Sequence, residues 1–433
     1  MKHRKVIALL LCALLLLTSG LVTVLADEQG VDMTQDLVGD GSGVTLKLLL
    51  PWETIPKETL YEILTEFFNQ TGISTEVIIV NVSGGWAGYF QKILTMIAAN
   101  DYPDLIYIAI EGFRIFQEND LIIPIDDYIA ASPEAQEVLA DIHPNTIAPY
   151  IVDGKHYAMT FEWNNVCTYI NTNVLAKAGL ELPSDDWTKS DFLEYARKMT
   201  YIDERGQQVY GVAVPNAYFE LSSFMFSNGA SYLNDDWTES TINSPEAKEM
   251  MQFIYDLVFV ENVSPAPGSN IDNMFMNDLL GMYFAGRWPI SGFVESGFDA
   301  FDVAMIPTFK TCQVVLGGGL HPIMKSSQHK QEAFDLSVFL AKASTQEKAM
   351  AISSIPTSIQ AMEAMVKEGI PNNAALFQKC ADIARPVESP SKYAEISQIF
   401  ARYRSLMWAG EISVDDMLDA VAAEMNAALA ADY

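Results

Sequence analysis

Apolar residues along this chain come in two alternating rhythms. The run "VTLKLLL" (44–50) is apolar almost without a break and reads as a buried strand. Pro56 then suits the first turn of a helix, and Leu60, Ile63, Leu64, Phe67 and Phe68 fall on one side at i, i+3, i+4, i+7 and i+8 before Gly72 stops it. "ISTEVIIV" (73–80) is a second strand, and "GYFQKILTMIAAN" returns to helical spacing through Phe90, Ile93, Leu94, Ile97 and Ala98. "DLIYIAI" (104–110) is a third strand, followed by a short helix over "FRIFQEND". Strands that are apolar throughout, alternating with helices, predict an α/β chain with a parallel, doubly wound sheet. Ligands of such sheets sit beyond the carboxyl ends of the strands, which here are Trp52-Glu53, Asn81 to Tyr89, and Glu111.

The second half keeps this grammar and is richer in helix. "WTKSDF" is a capping box in which Thr188 caps, Asp191 reaches back and Trp187 staples onto Phe192. "NSPEAKEMMQFIYDLV" opens a helix with Ser244 as cap and Pro245 at the first position. "DERGQQVYG" (203–211) reads as a polar hairpin turn. At the other end of the chain, Lys2, Arg4 and Lys5 precede an apolar run and a Val24-x-Ala26 site, the pattern of a secretory signal peptide over 1–26. An uncleaved anchor is the alternative, since the segment is about long enough to span a bilayer. Cys12 lies within leucines, so no lipoprotein site is expected. Residues 27–43, "DEQGVDMTQDLVGDGSG", are acidic and glycine-rich and predict a flexible spacer.

About 400 residues beyond the signal exceed one ordinary core, so two lobes are expected. The formal charge is −30, and losing residues 1–26 would remove three cations and no carboxylate. Such a surface repels phosphate backbones, which argues against a nucleic-acid partner. Cys167, Cys312 and Cys380 are an odd number and form no disulfide framework; buried reduced thiols are expected, with one oxidised pair as the alternative. His143, His156, His321 and His329 show no zinc spacing, and "GGGLHP" (317–322) lacks the phosphate-loop patterns. No metal, cofactor or catalytic group is expected.

In order and spacing, six segments resemble the extracellular solute-binding proteins of ABC importers, specifically the carbohydrate-binding, maltose-binding-protein-like group. They are the stretch from "YAMTFEWNNVCTYINTNVL" through "DDWTKSDFLEYARKMT", then "NSPEAKEMMQFIYDLV", "GMYFAGRWPISGF", "VAMIPTF", "GGGLHPIMKSSQHKQEAFDLSVFLAKASTQEKAM", and the tail "SPSKYAEISQIFARYRSLMWAGEISVDDMLDAVAAEMNAAL". The resemblance implies a two-lobed periplasmic-binding-protein-like fold (type II), each lobe a doubly wound sheet flanked by helices, with a hinge crossed several times. It places one lobe at 44–157 plus 313–355 and the other at 158–312 plus 356–433. It also implies a non-enzymatic, monomeric protein outside the cytoplasmic membrane, with a sugar ligand and ABC permease subunits as partners.

A sugar ring needs a flat aromatic surface for its C–H face and carboxylates or amides around its hydroxyls. Trp288 matches the family position where an aromatic ring stacks on the sugar, and its Gly286-Arg287-Trp288-Pro289 bend suits presentation of an indole rather than its burial. Trp86 lies in a glycine-flanked loop after the second strand; Tyr89 fits either that loop or the buried face of the helix. Trp52 and Glu53 follow the first strand. Glu111 matches an acidic hydrogen-bonding position of the family and also suits a helix N-terminus. Glu162, Trp163, Asn164 and Asn165 gather sugar-compatible groups in four residues, read as a loop just past a lobe crossing. Tyr393 matches an aromatic position in the family tail and equally suits helix packing. Acids and aromatics also hold ammonium groups, so a polyamine or other cation is the alternative ligand, and a secreted glycosidase a more distant one.

Overall fold

The computed structural model describes residues 32–51, 55–82, 85–350 and 353–431. The expected signal peptide, Trp52 and Glu53 lie outside the described residues.

In chain order the strands are β1 (Asp32–Val38), β2 (Thr45–Pro51), β3 (Ser74–Asn81), β4 (Leu105–Ile106), β5 (Ile108–Ala109), β6 (Ile151–Val152), β7 (Lys155–His156) and β8 (Thr160–Asn164). They continue with β9 (Cys167–Asn171), β10 (Tyr201–Ile202), β11 (Gln208–Val212), β12 (Leu280–Ala285), β13 (Phe301–Ala304), β14 (Val314–Leu320), β15 (Ile355–Pro356) and β16 (Ala384–Pro386).

The first sheet runs β1-β3-β2-β4, with β2 parallel to both β3 and β4. Its side chains divide between two cores with the period of two that a pleat imposes. Leu48, Leu50, Val77 and Ile79 join Leu60, Ile63 and Phe67 of helix Lys57–Thr71. Leu49, Ile78 and Val80 face the other way, onto Phe90 and Ile93 of helix Gly85–Ala98. Both faces are covered, and that is why these strands read as unbroken apolar runs. The helix Lys57–Thr71 ends at Gly72 in the left-handed conformation, as the sequence indicates. The chain returns to this core late, where Phe339 packs on Phe67 at a ring-centroid distance of 5.3 Å.

One expectation is corrected. Residues 32–38, read as part of a flexible spacer, form β1 and pair antiparallel with residues 75–81 of β3. The strand needs little apolar surface because it supplies backbone donors and acceptors to an otherwise open sheet edge. Asp36 pins it, accepting from Lys57 Nζ at 3.0 Å and from the Tyr61 hydroxyl at 2.5 Å. Gly39, Gly41 and Gly43 belong to the turn that follows. At Gly39, with φ +113°, a Cβ would stand 2.5 Å from the Ser74 hydroxyl oxygen.

A second sheet, β10-β11-β12-β9-β13, is mixed, since β9 runs antiparallel to both β12 and β13. The capping box at Thr188 forms as read, and Trp187 meets Phe192 edge-on at 5.8 Å while its indole N–H donates to the Met305 carbonyl. Ser244 caps helix Pro245–Phe259, and Asp203–Gly206 makes the turn between β10 and β11. Cys167, Cys312 and Cys380 are free thiols, the first and last of them buried.

The third sheet, β15-β8-β14-β16, also takes β5 onto β14. The third apolar run of the sequence is therefore split: β4 pairs with β2 in the first sheet, and β5 with β14 in this one. Tyr107, between them, sits where two sheets meet. That junction positions the cavity described next.

Candidate functional site

Glycines at the centre of β14 open the space. A Cβ on Gly317 would stand 2.7 Å from the Phe219 ring, and one on Gly319 would stand 2.0 Å from the Tyr107 hydroxyl. Only a bare backbone lets these rings lie against the strand. Beside them is a cavity of about 610 Å³.

Three groups of side chains line it. Trp86 begins helix Gly85–Ala98 and lies nearly parallel to Tyr107, at 6.0 Å and 23°, and to Phe90, at 5.7 Å and 22°. Tyr107 donates its hydroxyl to the Glu162 carboxylate. Glu111 comes from the first turn of helix Ile110–Glu118 and is 7% exposed.

From β8 come Glu162 and Asn164. Asn164 is held at both ends: its carbonyl oxygen accepts from the Arg287 backbone N–H at 2.9 Å, and its amide nitrogen donates to the Ser354 hydroxyl at 3.1 Å.

Opposite them stand Tyr218, Phe219 and Glu220, at the start of helix Tyr218–Ser227, with Trp288 and Tyr393. Tyr218 is stacked on Tyr232 at 3.9 Å and meets Tyr393 edge-on at 5.5 Å. Trp288 is 41% exposed, and Phe219 is 6.2 Å from it. The preceding bend is rigid, because the buried Arg287 guanidinium donates to the Met350 and Ser354 carbonyls at 2.7 and 2.8 Å. Gly286 is required, since a Cβ there would stand 2.1 Å from the indole. The bend therefore presents the ring to the cavity and leaves its burial incomplete.

The acids are strained electrostatically. Burial pushes the Glu111 carboxyl up to about 7; its own backbone N–H opposes this, and the charge on Glu220 adds to it. Glu162 is also pushed up to about 7 by burial, opposed by the Tyr107 hydroxyl and reinforced by Glu111. Glu220 is raised, first by burial, with Arg404 pulling the other way. His321, between Tyr107 and Phe161, is driven down to about 3 by burial and is neutral. Among the described residues no cluster of His, Cys, Asp or Glu could hold a metal ion.

Of the residues singled out from the sequence, Trp288, Trp86, Glu111, Glu162, Asn164 and Tyr393 come together around this cavity. Trp163, Asn165 and Tyr89 do not. Residues 160–164 form a strand, not a loop, so alternate side chains point in opposite directions. Glu162 and Asn164 face the cavity, and Trp163 is 0% exposed in the core. Asn165 is buried next to the Cys167 thiol, 3.7 Å away. Tyr89 takes the helix's buried face and donates to the Leu49 carbonyl at 3.2 Å. The residues that sequence reasoning missed are Tyr107, Tyr218, Phe219, Glu220, Ser291, Ser353 and Ser354. A signal existed for one group: "NAYFEL" (216–221) opens a helix with two rings and an acid, as dense a set as "EWNN".

Fold and cavity together define a two-lobed α/β binding protein of the type II periplasmic kind. The chain belongs to the bacterial extracellular solute-binding protein family, whose model matches residues 51–347. Among its relatives is the maltotriose-binding protein of Pyrococcus abyssi, 26% identical over 212 residues, covering 49% of this chain and 43% of that one. Another is the arabinooligosaccharide-binding protein of Halalkalibacterium halodurans, 20% identical over 283 residues, covering 59% and 58%. The chain thus spans about half the length of these relatives. Among solved structures, the ABC substrate-binding protein Lmo0181 from Listeria monocytogenes, in complex with cycloalternan, superposes with a TM-score of 0.79 at 23% identity, covering 90% of this chain and 100% of that one. Maltose-bound MalE3 of T. maritima superposes at 0.74 with 20% identity, covering 88% and 99%.

Proposed function

We propose that this protein is the extracellular substrate-binding component of an ABC transporter, secreted or held at the outer face of the cytoplasmic membrane. It captures a sugar, an oligosaccharide rather than a monosaccharide, between two lobes and hands it to membrane permease subunits. The observation that carries this reading is the pairing of two indoles, Trp86 and Trp288, from distant parts of the chain around one cavity with carboxyls and an amide between them. Rings of that kind take the C–H face of a sugar, and the polar groups take its hydroxyls. The sugar-binding relatives point the same way.

The lobes are 44–157 with 313–355 and 158–312 with 356–433. Support comes from β8, β14 and β15, which begin close to the three junctions and hydrogen-bond in one sheet. Ligand touching both lobes favours the closed arrangement by its extra affinity for it. Each stacked ring contributes on the order of 1 kcal/mol beyond area burial, and micromolar binding corresponds to about −8 kcal/mol. The protein performs no chemistry on the sugar.

Calorimetry and tryptophan fluorescence against a panel of mono- and oligosaccharides test this, with small-angle scattering to follow closure. Micromolar binding of an oligosaccharide with a smaller radius of gyration is expected. New reducing ends in the mixture would turn the reading to a glycosidase, and binding of putrescine with no response to any sugar would turn it to a polyamine receptor.

A further inference from the structure

Resting on that reading, we propose that the sugar carries a protonated amino group, and that Glu111, Glu162 and Glu220 select it. The three carboxyls reach one cavity from three separate elements: helix Ile110–Glu118, strand β8 and helix Tyr218–Ser227. Among the described residues that line this cavity there is no Lys, Arg or His.

Glu111 is the most telling of the three. It is 7% exposed, and among the described residues no other side chain hydrogen-bonds to its carboxyl, which only its own backbone N–H helps to stabilise as an anion. The groups facing it are the phenols of Tyr150 and Tyr393 and the carboxyls of Glu162 and Glu220. One oxygen of Glu220 is buried without a hydrogen-bond partner. Arg404 acts on Glu220 from outside the cavity lining and is itself held below its usual range, first by burial. Glu162 alone has a side-chain partner, the Tyr107 hydroxyl, and that occupies one of its two oxygens.

A buried carboxyl without a cation is costly unless something neutralises it. Sugar hydroxyls can donate to such a group but bring no charge. An ammonium brings three donors and a full positive charge, and an indole face also favours it. Carboxyls from several elements repel one another when the cavity closes around a neutral guest. A cationic guest removes that repulsion, so it favours closure as well as contact. A simple diamine would meet the acids but leave Trp86 and Trp288 without a ring to cover. The combination of rings and acids therefore fits an amino sugar or a short amino-oligosaccharide.

The test is calorimetry with the glucosamine trimer, its fully N-acetylated counterpart and maltotriose, at pH 5.5 and 7.5, with putrescine as a ring-free control. At pH 7.5 the glucosamine trimer is expected to bind at least tenfold more tightly than the other three. At pH 5.5 Glu111 and Glu162 hold their protons, and the advantage shrinks. Glu111→Gln and Glu162→Gln, each checked for an unchanged or higher Tm, should erase the preference, so that the amino trimer binds no more tightly than the neutral trimers. Neutral trimers binding as tightly as the amino trimer at pH 7.5 would overturn the inference and leave the sugar-receptor reading standing. So would a preference that survives both substitutions, or putrescine matching the amino trimer. Failure of every saccharide to bind would sink both.

Discussion

Trp163 and Trp288 are both indoles beside the same cavity wall, and they do opposite things. Trp163 is 0% exposed and belongs to the core; Trp288 is 41% exposed over a rigid bend. Trp163→Ala should cost about 3–5 kcal/mol of stability in urea unfolding, the usual penalty for deleting a buried aromatic ring. Trp288→Ala should change apo stability by less than about 1 kcal/mol while weakening saccharide binding at least tenfold. A large loss of stability at Trp288 would mean that its ring is core after all.

Glu111 allows a pH prediction. Its carboxyl is raised on folding, so the folded state holds a proton that the unfolded state has already lost. The associated stability is therefore present at low pH and lost as pH rises through about 7. Glu111→Gln should stabilise the apo protein by on the order of 1–3 kcal/mol at pH 8 and have almost no effect at about pH 4, read from Tm or urea midpoints. Equal effects at both pH values would show that the carboxyl is not desolvated.

At the scale of elements, the helical faces of the first half were plain in the sequence, because apolar residues three and four apart line up only on one side of a helix. Leu60, Ile63, Leu64 and Phe67 are buried as their spacing requires. What the spacing could not show was where pairing partners come from. β1 was hidden because the stretch that contains it, five acids and four glycines over 27–43, has the composition of a solvated linker. Its place is set by the open edge of β3, a long-range fact. The stretch 160–165 was hidden for a different reason. Its residue types were right, but an assumed loop allows every side chain to face the ligand, whereas a strand allows only every other one.

Two measurements follow at this scale. Amides on the paired side of residues 32–38 should exchange with solvent distinctly more slowly than those of an unstructured peptide; unprotected amides would restore the spacer. Gly319→Ala should push Tyr107 off its contact with Glu162, since a Cβ would stand 2.0 Å from the hydroxyl. The expected result is a loss of at least tenfold in saccharide affinity with a Tm lowered by several degrees.

At the scale of the whole molecule, the order of motifs indicated the family, and the two-lobed fold followed from it. The cavity was only half legible. Its indoles and two of its acids stood out because large rings and carboxylates beside glycines are hard to place elsewhere. The group Tyr218, Phe219 and Glu220 escaped because, in one dimension, rings opening a helix look like core, and only the close approach of Gly317 shows the Phe219 ring lying against β14.

Arg287 has a mechanical consequence. Its guanidinium, sealed from water, grasps two carbonyls just ahead of β15, and its neighbour in the chain is Trp288, whose indole lines the cavity. Letting go of either oxygen would leave a charge stranded away from solvent, at a penalty of several kcal/mol. The Trp288 ring and the segment just ahead of β15 therefore travel as one lever. A dye or nitroxide placed beside β15 would register a guest arriving at Trp288 without touching it.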